Sequence, residues 1–102
     1  MNRSLEPYQF EIYIEDGRQY FNTVNTIKRG NVDISKMGVT TLPHFKYVGG
    51  WLDCSHNRLT SLEGCPIYVG NGFSCSGNKL TSLKYRPRYV GGDFYCYNNY
   101  LI

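Results

Sequence analysis

Long apolar runs, closely paired cysteines and concentrated charge are all missing from this 102-residue chain. No stretch approaches the ~18 consecutive apolar residues of a membrane span. Met1 to Glu6 leads into no apolar segment of the kind that heads a secretory signal. These absences read as a cytoplasmic protein with no membrane association. Lys and Arg are scattered and the net charge is only +3, so bulk charge gives little support to a nucleic-acid partner. The four cysteines lack zinc-type close pairs: the nearest two in sequence, Cys54 and Cys65, are separated by ten residues. In a reducing compartment disulfides are not expected either.

Catalytic equipment is equally thin. Only two histidines occur, His44 and His56, twelve residues apart and without an evident nucleophile. Asp53 could orient the His56 imidazole, but the nucleophile would have to be Ser55 or Ser76 on a flat sheet lacking oxyanion donors. No Gly-rich phosphate loop leads into a helix pattern. The expectation is a protein that is not an enzyme and uses no cofactor or metal.

What the chain has is repetition. Val48-Gly49-Gly50-Trp51-Leu52-Asp53-Cys54-Ser55-His56-Asn57-Arg58-Leu59-Thr60-Ser61-Leu62 returns from Val69 to Leu83 and begins again at Val90. The period is 21, fixed by Cys54, Cys75 and Cys96, by Asn57, Asn78 and Asn99, and by Leu59, Leu80 and Leu101. Such a period marks a solenoid, in which each unit buries its apolar face against its neighbours. Stacked strands lie about 4.8 Å apart, so equivalent residues touch. Leu52, Phe73 and Phe94 then form one apolar ladder, the cysteines a second and the leucines a third. The asparagines are read as a buried amide ladder that satisfies backbone groups where the chain leaves the strand. Gly49-Gly50 and Gly91-Gly92 are read as tight turns into the strand.

The N-terminal segment, residues 1–26, differs. Its first seven residues read as a loose arm. Tyr8, Phe10, Ile12 and Ile14 then alternate with polar residues as a strand does. Asp16-Gly17 signals a hairpin, with a second strand from Arg18 to about Val24. This segment is expected to cap the solenoid that occupies residues 27–102. Ile34-Ser35-Lys36-Met37-Gly38-Val39-Thr40-Thr41-Leu42 aligns without a gap on Cys75 to Leu83, as a degenerate first coil with Met37 in the Asn column. The link from Pro43 to Tyr47 is one residue shorter than its counterpart, Glu63 to Tyr68.

Each clear unit carries L-x-L-x-x-N-x-L: Leu52-x-Cys54-x-x-Asn57-x-Leu59, then the same from Phe73 to Leu80 and from Phe94 to Leu101. The units resemble short bacterial leucine-rich repeats. More closely, they resemble the V-G-G-x-F-x-C-S-x-N-x-L-T-S-L-x-G-x-P units of proteins from large tailed bacteriophages. The resemblance covers about residues 27–102. It implies an all-β leucine-rich-repeat solenoid with a parallel sheet of about four strands and little helix, to which the pattern of residues 1–26 adds the N-terminal hairpin cap. As to function it implies a binding scaffold. The phage likeness points to a product that binds and inhibits a host protein, in the manner of an anti-defence factor.

Three surfaces are candidates for that binding. Alternation turns Asn31, Asp33 and Ser35, Trp51, Asp53 and Ser55, Gly72, Ser74 and Ser76, and Asp93, Tyr95 and Tyr97 outward, with His56 just past its strand. A small polar middle coil between aromatic neighbours with acids predicts a shallow protein-binding groove centred on Asp33, Trp51, Asp53, His56, Asp93, Tyr95 and Tyr97. The same tyrosines could equally serve only cross-strand packing. On the outer path, Lys79 and the run Lys84-Tyr85-Arg86-Pro87-Arg88-Tyr89 mix bases with aromatics, a make-up that can hold phosphates and stack nucleobases. The preceding unit has no base at the equivalent Glu63 to Tyr68, which favours a solvated face. Finally, Phe94, Tyr100, Leu101 and Ile102 would form an open edge suited to a homodimer, a heterocomplex or docking into an assembly.

Overall fold

The computed structural model describes residues 11–15, 18–22 and 27–102. Among these there is no helix. Strands β1 (Glu11–Glu15) and β2 (Arg18–Asn22) form an antiparallel hairpin with Glu15 opposite Arg18 and Glu11 opposite Asn22. That is the pairing expected of a two-residue connection. The connecting Asp16-Gly17, the arm at 1–7 and the start of the first predicted strand lie outside the described residues.

From residue 27 the chain winds as a β-solenoid of about three turns. Each coil contributes one short strand to each of two parallel sheets. One sheet runs β4 (Val32–Asp33), β6 (Leu52–Asp53), β8 (Phe73–Ser74) and β10 (Phe94–Tyr95), and it is the four-stranded parallel sheet that the sequence predicts. The other, β3 (Ile27–Lys28), β5 (Tyr47–Val48), β7 (Tyr68–Val69) and β9 (Tyr89–Val90), is an addition. In it Val48 and Val69 point inward and are fully buried while Tyr47 and Tyr89 face out. Two-residue strands are too short for alternation to announce them.

Register confirms the repeat. Val32 pairs with Leu52, a step of 20, whereas Leu52 pairs with Phe73 and Phe73 with Phe94, each a step of 21. The short step is absorbed in the Pro43–Tyr47 link, as its length requires. Within the coils Ile34, Cys54, Cys75, Leu59, Leu80 and Leu62 are buried together with the strand ladder. The four thiols are free; burial pushes Cys54 well above the ordinary range and Cys75 up to about 12, helped by the nearby Cys96. A thiol held protonated is a poor nucleophile. These cysteines act as small core residues.

The asparagine column does what its burial demands. Asn57 Oδ1 accepts from the amides of Met37 (2.9 Å) and Val39 (3.2 Å), and its Nδ2 donates to the carbonyls of Ile34 (2.9 Å) and Cys54 (3.0 Å). Asn78 repeats this with Leu59, Cys54 and Cys75 at 3.0–3.1 Å. Asn99 repeats it with Leu80, Cys75 and Cys96 at 3.0–3.1 Å. Each amide therefore fastens two coils to each other.

The glycine column has another cause than the one its sequence suggests. Gly49, Gly70 and Gly91 do not take the left-handed conformation, which among the described glycines belongs to Gly38, Gly64 and Gly77. A Cβ at Gly70 would instead collide with the carbonyl of Gly49, and one at Gly91 with that of Gly70. Close approach of successive coils, rather than a special turn, requires these residues to lack a side chain.

Candidate functional site

The sheet β4-β6-β8-β10 positions its outward residues in rows, one per coil. The second row is Trp51 and Asp53, the third Gly72 and Ser74, the fourth Asp93 and Tyr95. Small residues in the third row leave a trench between two tall neighbours. The resulting cleft has a volume of about 420 Å³ and is lined by Trp51, Asp53, Ser55 and His56 on one side. Gly72, Ser74 and Ser76 lie below, and Asp93, Tyr95 and Tyr97 on the other side. Six of the seven residues predicted for a protein-binding face meet here. Asp33 does not: it stands in the first row, behind Trp51 and Asp53, where its carboxylate accepts from the Ser35 hydroxyl at 2.7 Å.

Two of the outward alternates line the cleft but are little exposed, Ser55 at 8% and Ser76 at 2%, whereas the larger Tyr97 at the equivalent position is 62% exposed. A left-handed residue follows each of them: His56 (φ 58°) and Gly77 (φ 69°), with Lys36 and Asn98 at the equivalent positions. Ser55 folds back on Asp53, its hydroxyl donating at 2.6 Å and its amide at 3.0 Å to Asp53 Oδ1. A Cβ at Gly77 would lie 2.6 Å from His56 Nδ1, so the glycine gives the imidazole its place on the rim.

The acids retain free capacity. Asp53 Oδ1 is taken by Ser55, and Asp93 Oδ2 accepts from the Tyr95 hydroxyl at 3.0 Å. The other oxygen of each has no partner among the described residues. The Tyr95 phenol is pushed above its ordinary range, first by this hydrogen bond and then by the charge of Asp93. Its ring meets Tyr97 edge-on, with centroids 6.1 Å apart. Ser76 Oγ is buried and, among the described residues, has no hydrogen-bond partner.

The basic flank is arranged differently. Lys84, Arg86 and Arg88 are all exposed, with Lys79 apart from them on the same outer path. Lys84 Nζ stands 5.2 Å from the Tyr85 ring centroid, and Arg86 Nη1 donates to the Leu83 carbonyl at 3.4 Å. Two of the three cations thus engage their own loop. At the last coil Phe94 is half-buried, Tyr100 64% and Leu101 39% exposed, and Ile102 fully exposed.

One surface feature escapes sequence reasoning: Tyr47, Tyr68 and Tyr89 stack on the outer face of the second sheet. Their centroids are 4.8 and 4.9 Å apart and the rings are nearly parallel, at 2° and 12°. The spacing of 21 residues carries the signal, hidden because these tyrosines close each link segment rather than open a recognisable strand.

Among the described residues no group of three or more His, Cys, Asp or Glu side chains is placed to hold a metal ion, and no helix is long and apolar enough to cross a membrane. Comparison with known proteins finds no matching family model, curated protein or solved structure.

Proposed function

We propose that the chain is a protein-binding module and that the groove between the second and fourth rows is its contact face. The observation that carries this reading is the convergence of Trp51, Tyr95 and Tyr97 with Asp53 and Asp93 around a floor of small residues. Aromatic anchors at a concave site, rimmed by polar groups, supply most of the energy of many protein interfaces. The acids on the rim argue against a phosphate backbone there, and on the basic flank two of the three cations engage their own loop. The likeness of the repeats to those of tailed-phage proteins is the ground for seeking the partner among bacterial host proteins.

The test is capture from bacterial lysate by tagged full-length chain beside two variants, Trp51→Ala/Tyr97→Ala and Lys84→Ala/Arg86→Ala/Arg88→Ala. The reading expects one protein at stoichiometric yield, retained by the second variant, lost with the first, and insensitive to nuclease. Nuclease-sensitive capture that disappears with the triple variant would move the site to the basic flank. Affinity that collapses as salt rises would point the same way.

A further inference from the structure

We infer that the groove seats an arginine side chain presented on an extended segment of the partner protein, an inference that rests on the protein-binding reading above. The dimensions come first. The walls belong to rows two strand spacings apart, about 9.6 Å between backbones, with a single row as floor. A trench one row wide runs along the strand direction. It suits one extended chain lying over Gly72 and Ser74, and a planar group standing between aromatic walls.

Charge and shape then choose the group. Trp51 lies across Gly72 from Asp93, and Asp53 lies across Ser74 from Tyr95, so each aromatic wall faces a carboxylate on the opposite side. A guanidinium satisfies both kinds of surface at once: its flat faces stack on aromatic rings while its edge donates to carboxylates. The uncommitted oxygens of Asp53 and Asp93 provide the acceptors. An ammonium group carries no plane to stack and fewer directed donors. The chain as a whole is positive, at +3, so the groove is a local reversal of sign that discriminates in favour of a cationic segment.

Ser76 adds a further polar feature to the floor. Its hydroxyl is buried at the edge of the floor, at 2% residue exposure, and unpaired among the described residues. Buried hydroxyls without a partner are uncommon in native proteins because the desolvation goes uncompensated.

The inference is tested with isotope-labelled full chain and short peptides, followed by shifts of the backbone amide signals. The probe is an acetylated, amidated Gly-Ser-Arg-Ser-Gly peptide. The controls replace arginine with citrulline, which keeps the shape but removes the charge, and with lysine. The expected result is saturable shifts confined to residues 51–56, 71–77 and 93–97, with citrulline at least about tenfold weaker and lysine also weaker. Asp53→Asn/Asp93→Asn should lose a similar factor while the remaining signals stay in place. Equal binding of arginine and citrulline, shifts centred on Tyr47, Tyr68 and Tyr89, or no saturable shift would overturn it. The two readings fail separately. If Trp51→Ala/Tyr97→Ala abolishes capture of the partner but the arginine peptide leaves the groove unmoved, only the arginine inference falls.

Discussion

On the second sheet Tyr47, Tyr68 and Tyr89 repeat the same residue and stack face to face. On the first, the column that contains Trp51 continues as Gly72 and Asp93, and the next runs Asp53, Ser74, Tyr95. The two faces belong to the same coils and the same register, yet one consumes its aromatic surface internally and the other leaves a 420 Å³ recess. Identical neighbours about 4.8 Å apart satisfy one another; unlike neighbours leave relief. In a solenoid, departures from the repeat are therefore where binding chemistry can collect.

Glycine substitution should separate the faces most sharply. Gly70→Ala places a methyl against the Gly49 carbonyl, and backbone cannot move aside as a side chain can. A loss of roughly 3 kcal/mol is expected in denaturant unfolding. Gly72→Ala, two residues on, meets only the Asp93 carbonyl at 3.5 Å. It should leave the unfolding midpoint nearly unchanged while raising the groove floor. Equal destabilisation by both would break the contrast.

A smaller effect is expected from the rings. Tyr68 stacks on two neighbours and Tyr89 on one, so Tyr68→Ala should cost about 2 kcal/mol and Tyr89→Ala about half that. Tyr97→Ala, on the groove, should cost little in thermal unfolding but should abolish capture of the partner. A stability loss at Tyr97 matching that at Tyr68 would turn the groove aromatics into packing residues.

The smallest effect lies in titration. The Tyr95 phenol is raised by its bond to Asp93, so the folded protein holds this proton more firmly than the unfolded chain. The associated stability is present below the ordinary tyrosine range and fades as pH climbs through the raised value. Alkaline absorbance titration of Asp93→Asn should show one tyrosine ionising earlier than in the parent. No change in that curve would mean the hydrogen bond does not hold Asp93 and Tyr95 together in solution.

Recurrence made the inner columns readable, because Cys54, Asn57 and Leu59 return at a constant interval and have no other explanation as a set. The groove was readable by the further step that alternation turns Trp51 and Tyr95 outward. The same step turns Ser55 and Ser76 toward the groove, where their short side chains leave them little exposed. Asp33 belongs to the first coil, as the alignment of Ile34 to Leu42 expects, and its pairing with Asp53 sets it one strand behind the groove. The second sheet stayed hidden because a two-residue Tyr-Val strand is too short to show alternation, and its glycines resemble a turn until the carbonyls beneath them are known.

The regular step between coils also makes the groove a gauge. Its breadth is counted in whole strands, so it can change only in increments of about 4.8 Å. Duplicating the unit from Val69 to Tyr89 would set two small rows between Trp51 and Tyr95 in place of one and admit a wider occupant. Removing it would bring the walls side by side and close the seat. Such a scaffold changes what it accepts by integer steps, with every buried column left in register.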